Sequence, residues 1–296
     1  MLAIIPARGG SKGIPGKNLV NLAGKPLIAY TLNAAKMARS ISKIVVSTDD
    51  IEIAEVSKKY GGEVPFMRPP ELASDDSPAI DTYLYTIERL KNEFHQMHEE
   101  FLVLQPTSPL RTVEDIENAI HIFRDKKADS LISVTKADHP PFWARRIDEN
   151  GVLRYYLQNT GIDNKNRQNY PVTYLPNGSV FIFRYSLLVK HKSYYSEGTY
   201  PYVMPKERSV DIDDEIDLRY AEYLLEFNKR LFNLIENVKS ATSNFDKKRF
   251  SYALLHIYLP ILQEAAIFFD KDRVSSFVNL SQLKTELGVI KNKMLL

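Results

Sequence analysis

The chain has 296 residues and no cysteine. That excludes disulfides, thiolate zinc sites and a cysteine nucleophile, and it leaves the redox compartment open. A marked excess of either charge is also lacking, with 39 Lys and Arg against 37 Asp and Glu. The formal net charge is +2, so no global basic field directs the chain to nucleic acid, and basic residues matter only where they cluster. No apolar run reaches the length needed to cross a bilayer. The chain opens directly on LAIIP, without the basic region and long apolar stretch of a secretory leader. A soluble cytoplasmic protein with neither membrane nor nucleic acid as partner is therefore expected. Internal repeats and low-complexity tracts are absent as well. What is present is ordinary apolar content on a chain long enough for one large domain with an appendage.

The first half alternates between two periodicities. LAIIP reads as a buried strand, and PLIAYTLNAAKMAR (26–39) as a helix with Pro26 suited to its first turn. KIVVST (43–48) is a second strand. IEIAEVSKKYG is a helix closed by Gly61, and EVPFM a short strand. SPAIDTYLYTIERLKNEF is a long amphipathic helix, FLVLQ (101–105) a continuous apolar strand, TVEDIENAIHIFRDK a helix with an acidic first turn, and SLISVT another strand. Apolar strands alternating with helices predict a mostly parallel, Rossmann-like α/β sheet covered on both faces. After Thr135 the rhythm changes. HPPFWARR, the turn ENG and QNTGIDNKNRQNYP read as loop and hairpin, and NGSVFIFR (177–184) as a strand that returns to the sheet. This antiparallel excursion, about 136–205, is a candidate subunit interface. EIDLRYAEYLLEFNKRLF is a helix. Residues 237–296 read as a helical appendage, with Pro260 kinking its apolar segment. The domain reading is thus 1–236 followed by 237–296.

IIPARGGSKGIPGKN (4–18) raises the first chemical question. An apolar strand stops at Pro6, and glycines, a serine and three cations follow with no acid among them. In a parallel sheet, ligands bind beyond the carboxyl ends of the strands. Glycines let backbone N–H groups approach an anion, while Lys12 and Lys17 add point charges and Arg8 a planar fork matched to phosphate oxygens. The loop suits a nucleoside triphosphate or pyrophosphate. It has neither the G-x-G-x-x-G spacing nor a closing Gly-Lys-Ser/Thr, so it is not a dinucleotide or Walker loop. The bland alternative is a solvated basic turn. A second constellation lies in SVDIDDEIDLRYAE. If D-I-D is extended, Asp211 and Asp213 share one face while Ile212 points into the core, and two carboxylates on one face suit a hard cation. The same string also reads as an acidic helix start, served by Asp214 and Glu215.

IPARGGSKGIPGKN followed by L-AGKPLIAYT resembles the N-terminal signature of the acylneuraminate cytidylyltransferases, which activate nine-carbon acidic sugars. RPPEL with ASD, LQPTSPLR, NRQNYPVTYLPNGSVFIF and SVDIDDEIDLRYAE resemble later motifs of that family in the same order, so the likeness covers about residues 1–228. It implies a reaction joining the anomeric hydroxyl of a sugar acid to the α-phosphate of CTP with release of pyrophosphate. It also implies a magnesium requirement and a homodimer or higher homo-oligomer paired through the extension. By that resemblance Arg8, Lys12 and Lys17 face the triphosphate. Gly10, Ser11, Asn18, Arg68, Ser74 and Asp75 hold the nucleotide, and Asp211 and Asp213 hold the metal. Gln105, Thr107, Ser108, Arg167, Asn177, Tyr194 and Tyr195 fall to the sugar side, with Arg167 pairing the sugar carboxylate.

Alternatives stand beside several of these roles. Arg68 is open to pairing with Glu71, Gln105 to satisfying local backbone, Arg167 to being a loop cation, and the two tyrosines to packing. His139, just before Pro140 and Pro141, reads as structural, and no side chain is assigned as general base. Where some sialic acid enzymes carry a lysine, HPPFWARR has Phe142 and Trp143, which admits a deoxy, diacylated acid as the substrate. The close rival is an eight-carbon acid such as Kdo, against which GGSKG argues. The distant rival is a nucleotide-binding protein without catalysis.

Overall fold

A computed structural model describes residues 1–157 and 170–243. Its centre is a six-stranded sheet formed by β1 (Leu2–Pro6), β4 (Lys43–Ser47), β5 (Glu100–Val103), β6 (Ser130–Lys136), β9 (Tyr174–Arg184) and β10 (Thr199–Val203). The order is β10-β6-β9-β5-β1-β4, and β9 is the one antiparallel member. A small ribbon of β2 (Asn21–Leu22) and β3 (Lys25–Pro26) follows the first loop, and β7 (Arg145–Ile147) with β8 (Leu153–Tyr155) forms a separate hairpin. The helices are α1 (Leu27–Met37), α2 (Ile51–Lys59), α3 (Ala79–Phe94), α4 (Val113–Asp125), α5 (Tyr185–His191) and α6 (Glu215–Ser243).

The strands are apolar throughout because both faces are covered. Along β1, Ala3 and Ile5 join one core with Ile28 and Leu32 of α1 and Ile116, Ile120 and Phe123 of α4. Leu2 and Ile4 join the other core with Tyr83, Ile87 and Leu90 of α3 and Leu188 of α5. The two-residue alternation of a strand thus divides one continuous apolar run between two layers. α4 has the acidic first turn expected of it, and Thr112 and Asp115 cap each other's backbone N–H groups in a reciprocal box.

β9 enters between β5 and β6, the return to the sheet expected of NGSVFIFR. Its ladder with β6 slips between Ile132 and Val134, where Asn177, Gly178, Ser179 and Val180 stand opposite Ser133 alone, and Gly178 takes a left-handed φ of 70°. Buried Ser133 repairs the gap: its hydroxyl donates to Asn177 Oδ1 at 2.6 Å and accepts from the Val180 N–H at 2.8 Å. Two expectations need correction. EVPFM contributes only an isolated bridge, Val45 with Glu63, because Pro65 has no N–H to continue a ladder. Pro26 caps α1 from outside and does not occupy its first turn.

Two compact units divide the chain at Leu224 and Leu225. The appendage expected at 237–296 lies outside the described residues beyond Ser243.

The packing makes Phe183 a test of the layer beneath α3. Its ring meets Tyr194 at 5.3 Å and Phe101 at 5.8 Å, and Phe183→Ala is expected to cost about 3–5 kcal/mol of unfolding free energy. Urea titration of the variant checks this, and a loss below about 1 kcal/mol would contradict so central a place.

Candidate functional site

The loop after β1 turns at the carboxyl edge of the sheet. Gly16, at φ 62°, leads into a short 3-10 turn, Lys17–Leu19. Asn18 is buried and donates its Nδ2 to the Arg8 carbonyl at 2.9 Å, which ties the start of the loop to its end. The Gly9 N–H donates to Asp49 Oδ1 at 3.1 Å. Arg68 donates to the same oxygen at 3.2 Å, so its partner is Asp49 and not Glu71. Burial lowers the pKa of the Arg68 guanidinium, and Asp49 opposes that shift. Arg8 and Lys12 both reach Asp75, at 2.7 and 2.5 Å. Lys12 and Arg8 hold that carboxyl below the usual carboxylate range.

The opposite wall is the segment before α6. Ile212 is fully buried and its N–H donates to the Thr107 carbonyl at 2.8 Å, while Asp211 and Asp213 remain exposed on either side of it. This is the alternation read from D-I-D. Helix capping falls to other acids. Asp214 Oδ1 accepts from the N–H groups of Ile216 and Asp217, and Asp217 Oδ2 accepts from those of Asp213 and Asp214. The Asp211 and Asp213 carboxylates therefore stay out of the cap. Crowding by the surrounding protein raises the Asp211 pKa and nearby Asp213 adds to this, against a hydrogen bond from Thr107 and the charge of Lys17.

The two walls touch. Lys17 Nζ donates to the Ile212 carbonyl at 2.8 Å and to Asp213 Oδ1 at 3.0 Å. Gly13 lies so close that a Cβ there would sit 2.1 Å from the Asp213 carbonyl oxygen, so the glycine permits backbone-to-backbone approach.

Between them opens a cavity of about 610 Å³. Of the residues singled out in the sequence, Arg8, Ser11, Lys12, Lys17, Asn18, Arg68, Ser74, Asp75, Gln105, Thr107, Asp211 and Asp213 line it. The Gln105 side chain fits over Gly178, where a Cβ would fall 2.5 Å from Oε1. Its carbonyl accepts from Arg111 and, at 3.3 Å, from the Thr31 hydroxyl. The backbone there is satisfied by other groups.

The remaining candidates lie elsewhere. Gly10 is exposed on the outer turn. Ser108 is fully buried and donates to the Asn177 carbonyl at 3.2 Å. Asn177 is buried too, with Nδ2 donating to Ser209 Oγ at 2.8 Å and Oδ1 accepting from Ser133 and the Ser179 N–H. These two shape the site from behind. Tyr194 stacks with Phe183 and Tyr83 in the core, and Tyr195 is 55% exposed. Arg167 lies outside the described residues.

Two functional neighbours escaped the sequence reading. Asp49 ends the β4 turn, in a position where an acid is indistinguishable from a helix-capping residue. Tyr83 lines the cavity from α3, within an apolar stripe that looks like core.

The chain is similar to known proteins. The family model described as "Cytidylyltransferase" matches residues 2–237. The chain is 41% identical over 233 residues to the CMP-N,N'-diacetyllegionaminic acid synthase of Legionella pneumophila, an alignment covering 77% of this chain and 97% of that protein. It is 32% identical over 241 residues to the N-acylneuraminate cytidylyltransferase of Escherichia coli O18:K1:H7, covering 80% of this chain and 55% of that longer protein. Among solved structures, a CMP:2-keto-3-deoxy-manno-octonic acid synthetase complexed with CTP superposes with a TM-score of 0.57. It has 17% identity and covers 76% of this chain and 98% of that one, a likeness of fold.

The contact between the walls yields a direct test. Gly13→Ala must push the loop away from Asp213, and nucleoside triphosphate affinity is expected to fall about tenfold or more while the thermal midpoint holds within about 2 °C. Calorimetric titration reads the first and a melting scan the second. Unchanged affinity would show that the close approach does not shape the site.

Proposed function

The chain belongs to the cytidylyltransferase family, and from that premise we propose that it transfers CMP from CTP to the anomeric hydroxyl of a nonulosonic acid. In this reaction the anomeric oxygen attacks the α-phosphorus, the bond from that phosphorus to the bridging oxygen of the β-phosphate breaks, and pyrophosphate leaves with the charge. The hydroxyl proton passes to solvent or to an oxygen of the substrates. Catalysis of this kind rests on positioning and charge neutralisation and needs no covalent protein nucleophile.

The observation that carries the reading is Lys17, bound at the cavity's edge to both Ile212 and Asp213. Its ammonium is poised for charge developing on the phosphates. Arg8 and Lys12 share one acid, Asp75, and a triphosphate would exchange that carboxylate for its own oxygens. Ser11, Asn18, Arg68, Ser74 and the glycine-flanked backbone hold the nucleotide.

Asp211 and Asp213 fit a magnesium ion by the chemistry of their donors: two carboxylates on alternate residues, exposed on either side of buried Ile212. Among the described residues no group of three or more metal-ligating side chains occurs. Magnesium accepts that, since it retains waters and shares substrate phosphates. When bound, it supplies charge neutralisation to the leaving pyrophosphate.

The sugar acid lies on the Gln105 and Thr107 side, with Arg167 assigned to its carboxylate. We favour a diacylated nine-carbon acid. The Legionella relative named for such an acid supports this, as do the ring contacts of His139 with Trp143 at 5.8 Å and Phe142 with Tyr170 at 5.9 Å. Those contacts give the segment flat apolar surface and a structural role for His139. The β7–β8 hairpin exposes Ile147 and Leu153, at 72% and 67%, and β9 begins with exposed Tyr174 and Leu175. Such a patch supports self-association there as a homodimer, with sugar-side groups shared across the interface. A family match ending at residue 237 supports the division into 1–236 and 237–296. Among the described residues no helix is long and apolar enough to cross a membrane, and the cytoplasm, where CTP is made, is the expected compartment.

Pyrophosphate release from CTP with a panel of nine-carbon acids tests the assignment. Turnover is expected with at least one diacylated acid and only with a divalent cation. Lys17→Glu is expected to reduce it by at least about 100- to 1000-fold. Tight CTP binding without turnover on any acid would overturn the enzyme reading, and full activity after the charge reversal would overturn the role of Lys17.

A further inference from the structure

One buried ion pair lies outside the cavity and takes no part in the chemistry above. Asp115, in the first turn of α4, is fully buried. Its Oδ2 accepts from Arg208 Nε at 2.9 Å and from the Thr112 N–H and hydroxyl at 2.9 and 3.0 Å. Its Oδ1 accepts from Arg208 Nη2 at 3.0 Å and from the Tyr202 hydroxyl at 2.9 Å. Helix capping alone needs one of these bonds. The carboxylate instead meets the arginine's two-pronged fork, a geometry that fixes direction as well as distance.

Arg208 stands three residues before Asp211. The segment between is held at further points: Ser209 receives Asn177 Nδ2 at 2.8 Å and donates to the Pro205 carbonyl at 2.7 Å, and the Ile212 N–H donates to the Thr107 carbonyl. On the other side, Arg111 fixes the turn from Gln105. Its Nε donates to the Ser179 carbonyl and its Nη1 to Thr31 Oγ1, both at 2.8 Å. Asp115 follows Arg111 by four residues. The pair therefore joins the two segments that deliver Gln105 and Thr107 to one side of the cavity and Asp211 and Asp213 to the other.

We infer that Asp115 and Arg208 are positioning residues that set the Asp211–Asp213 segment at the distance from Thr107 and Lys17 that a cation-bound triphosphate requires. Burial pushes the Asp115 carboxyl up, but Arg208, the Thr112 backbone and Tyr202 together hold it below its ordinary value. Tyr202 is pushed up to about 12 by burial and by Asp115. The network is thus fully ionised on Asp115 and protonated on Tyr202 at neutral pH. The inference rests on the reading that Asp211 and Asp213 serve the metal-bound nucleotide.

Arg208→Lys keeps the charge and loses the fork. Expected are a loss of about 10- to 100-fold in CTP affinity measured with magnesium, little change in CTP affinity without it, and faster amide exchange at Ile212 while β1 and β5 exchange as in the parent. Tyr202→Phe, which removes a single donor, is expected to move the same readouts the same way by a smaller factor, and it serves where the arginine variant folds poorly. Parent-like Ile212 exchange and magnesium-dependent affinity in both variants would overturn the inference. Equal losses with and without magnesium, together with faster core exchange, would overturn it too by reducing the pair to general stability. Asp213→Ala is measured alongside: if it leaves magnesium-dependent affinity intact, the metal reading itself falls and takes the inference with it.

Discussion

Lys17 gives its ammonium to the Ile212 carbonyl and to Asp213 across a gap of about 195 residues in sequence. The rest of the site depends on that contact. It closes the cavity on one side, brings the glycine loop against the backbone of Asp213, and leaves a single cation facing both the phosphate cradle and the paired carboxylates. The lysine side chain is mostly enclosed whereas Asp213 is 79% exposed. Solvent screening makes the ion pair itself a weak contributor to stability. Its value is geometric: it holds a charge where a polyanion can claim it.

The same logic governs the second cluster. Asp75 draws in both Arg8 and Lys12, so two cations share one carboxylate. Four cations, Arg8, Lys12, Lys17 and Arg68, line the cavity with three acids, Asp75, Asp211 and Asp213, a local surplus on a chain whose overall charge is only +2. On the proposed reading, a triphosphate meets that surplus and displaces Asp75 and Asp213 from their partners. Asp213 so released would serve the cation that accompanies the phosphates. On this reading recognition is coupled to assembly of the charged site through exchange of partners.

Much of this was legible in the residues. Continuous apolar strands announced a sheet buried on two faces, and the division of β1 between two cores follows from strand alternation alone. The acidic first turn of TVEDIENAIHIFRDK marked the start of α4. Ile212 between two aspartates gave the correct facing of all three. Other parts were hidden because they depend on contacts far apart in the chain. EVPFM has strand-like composition, but Pro65 stops the ladder after one bridge. β10 carries Pro201, which a central strand would not accept and this edge position does. Arg68 looked ready for Glu71 three residues on, yet pairs with Asp49. Asn177 and Ser108 fall to the sugar side by resemblance, and in the structure buried partners take up their bonds. Nothing local distinguishes a polar residue that faces a ligand from one that braces the wall behind it.

A crystal structure of the chain with CTP and magnesium tests the central claim most directly. The account requires the triphosphate to lie in the cavity with a phosphate oxygen on Lys17 Nζ in place of Asp213, and the Asp211 and Asp213 carboxylates turned to the cation. A nucleotide bound outside this cavity, or phosphates remote from Lys17 with its bond to Asp213 intact, would contradict it.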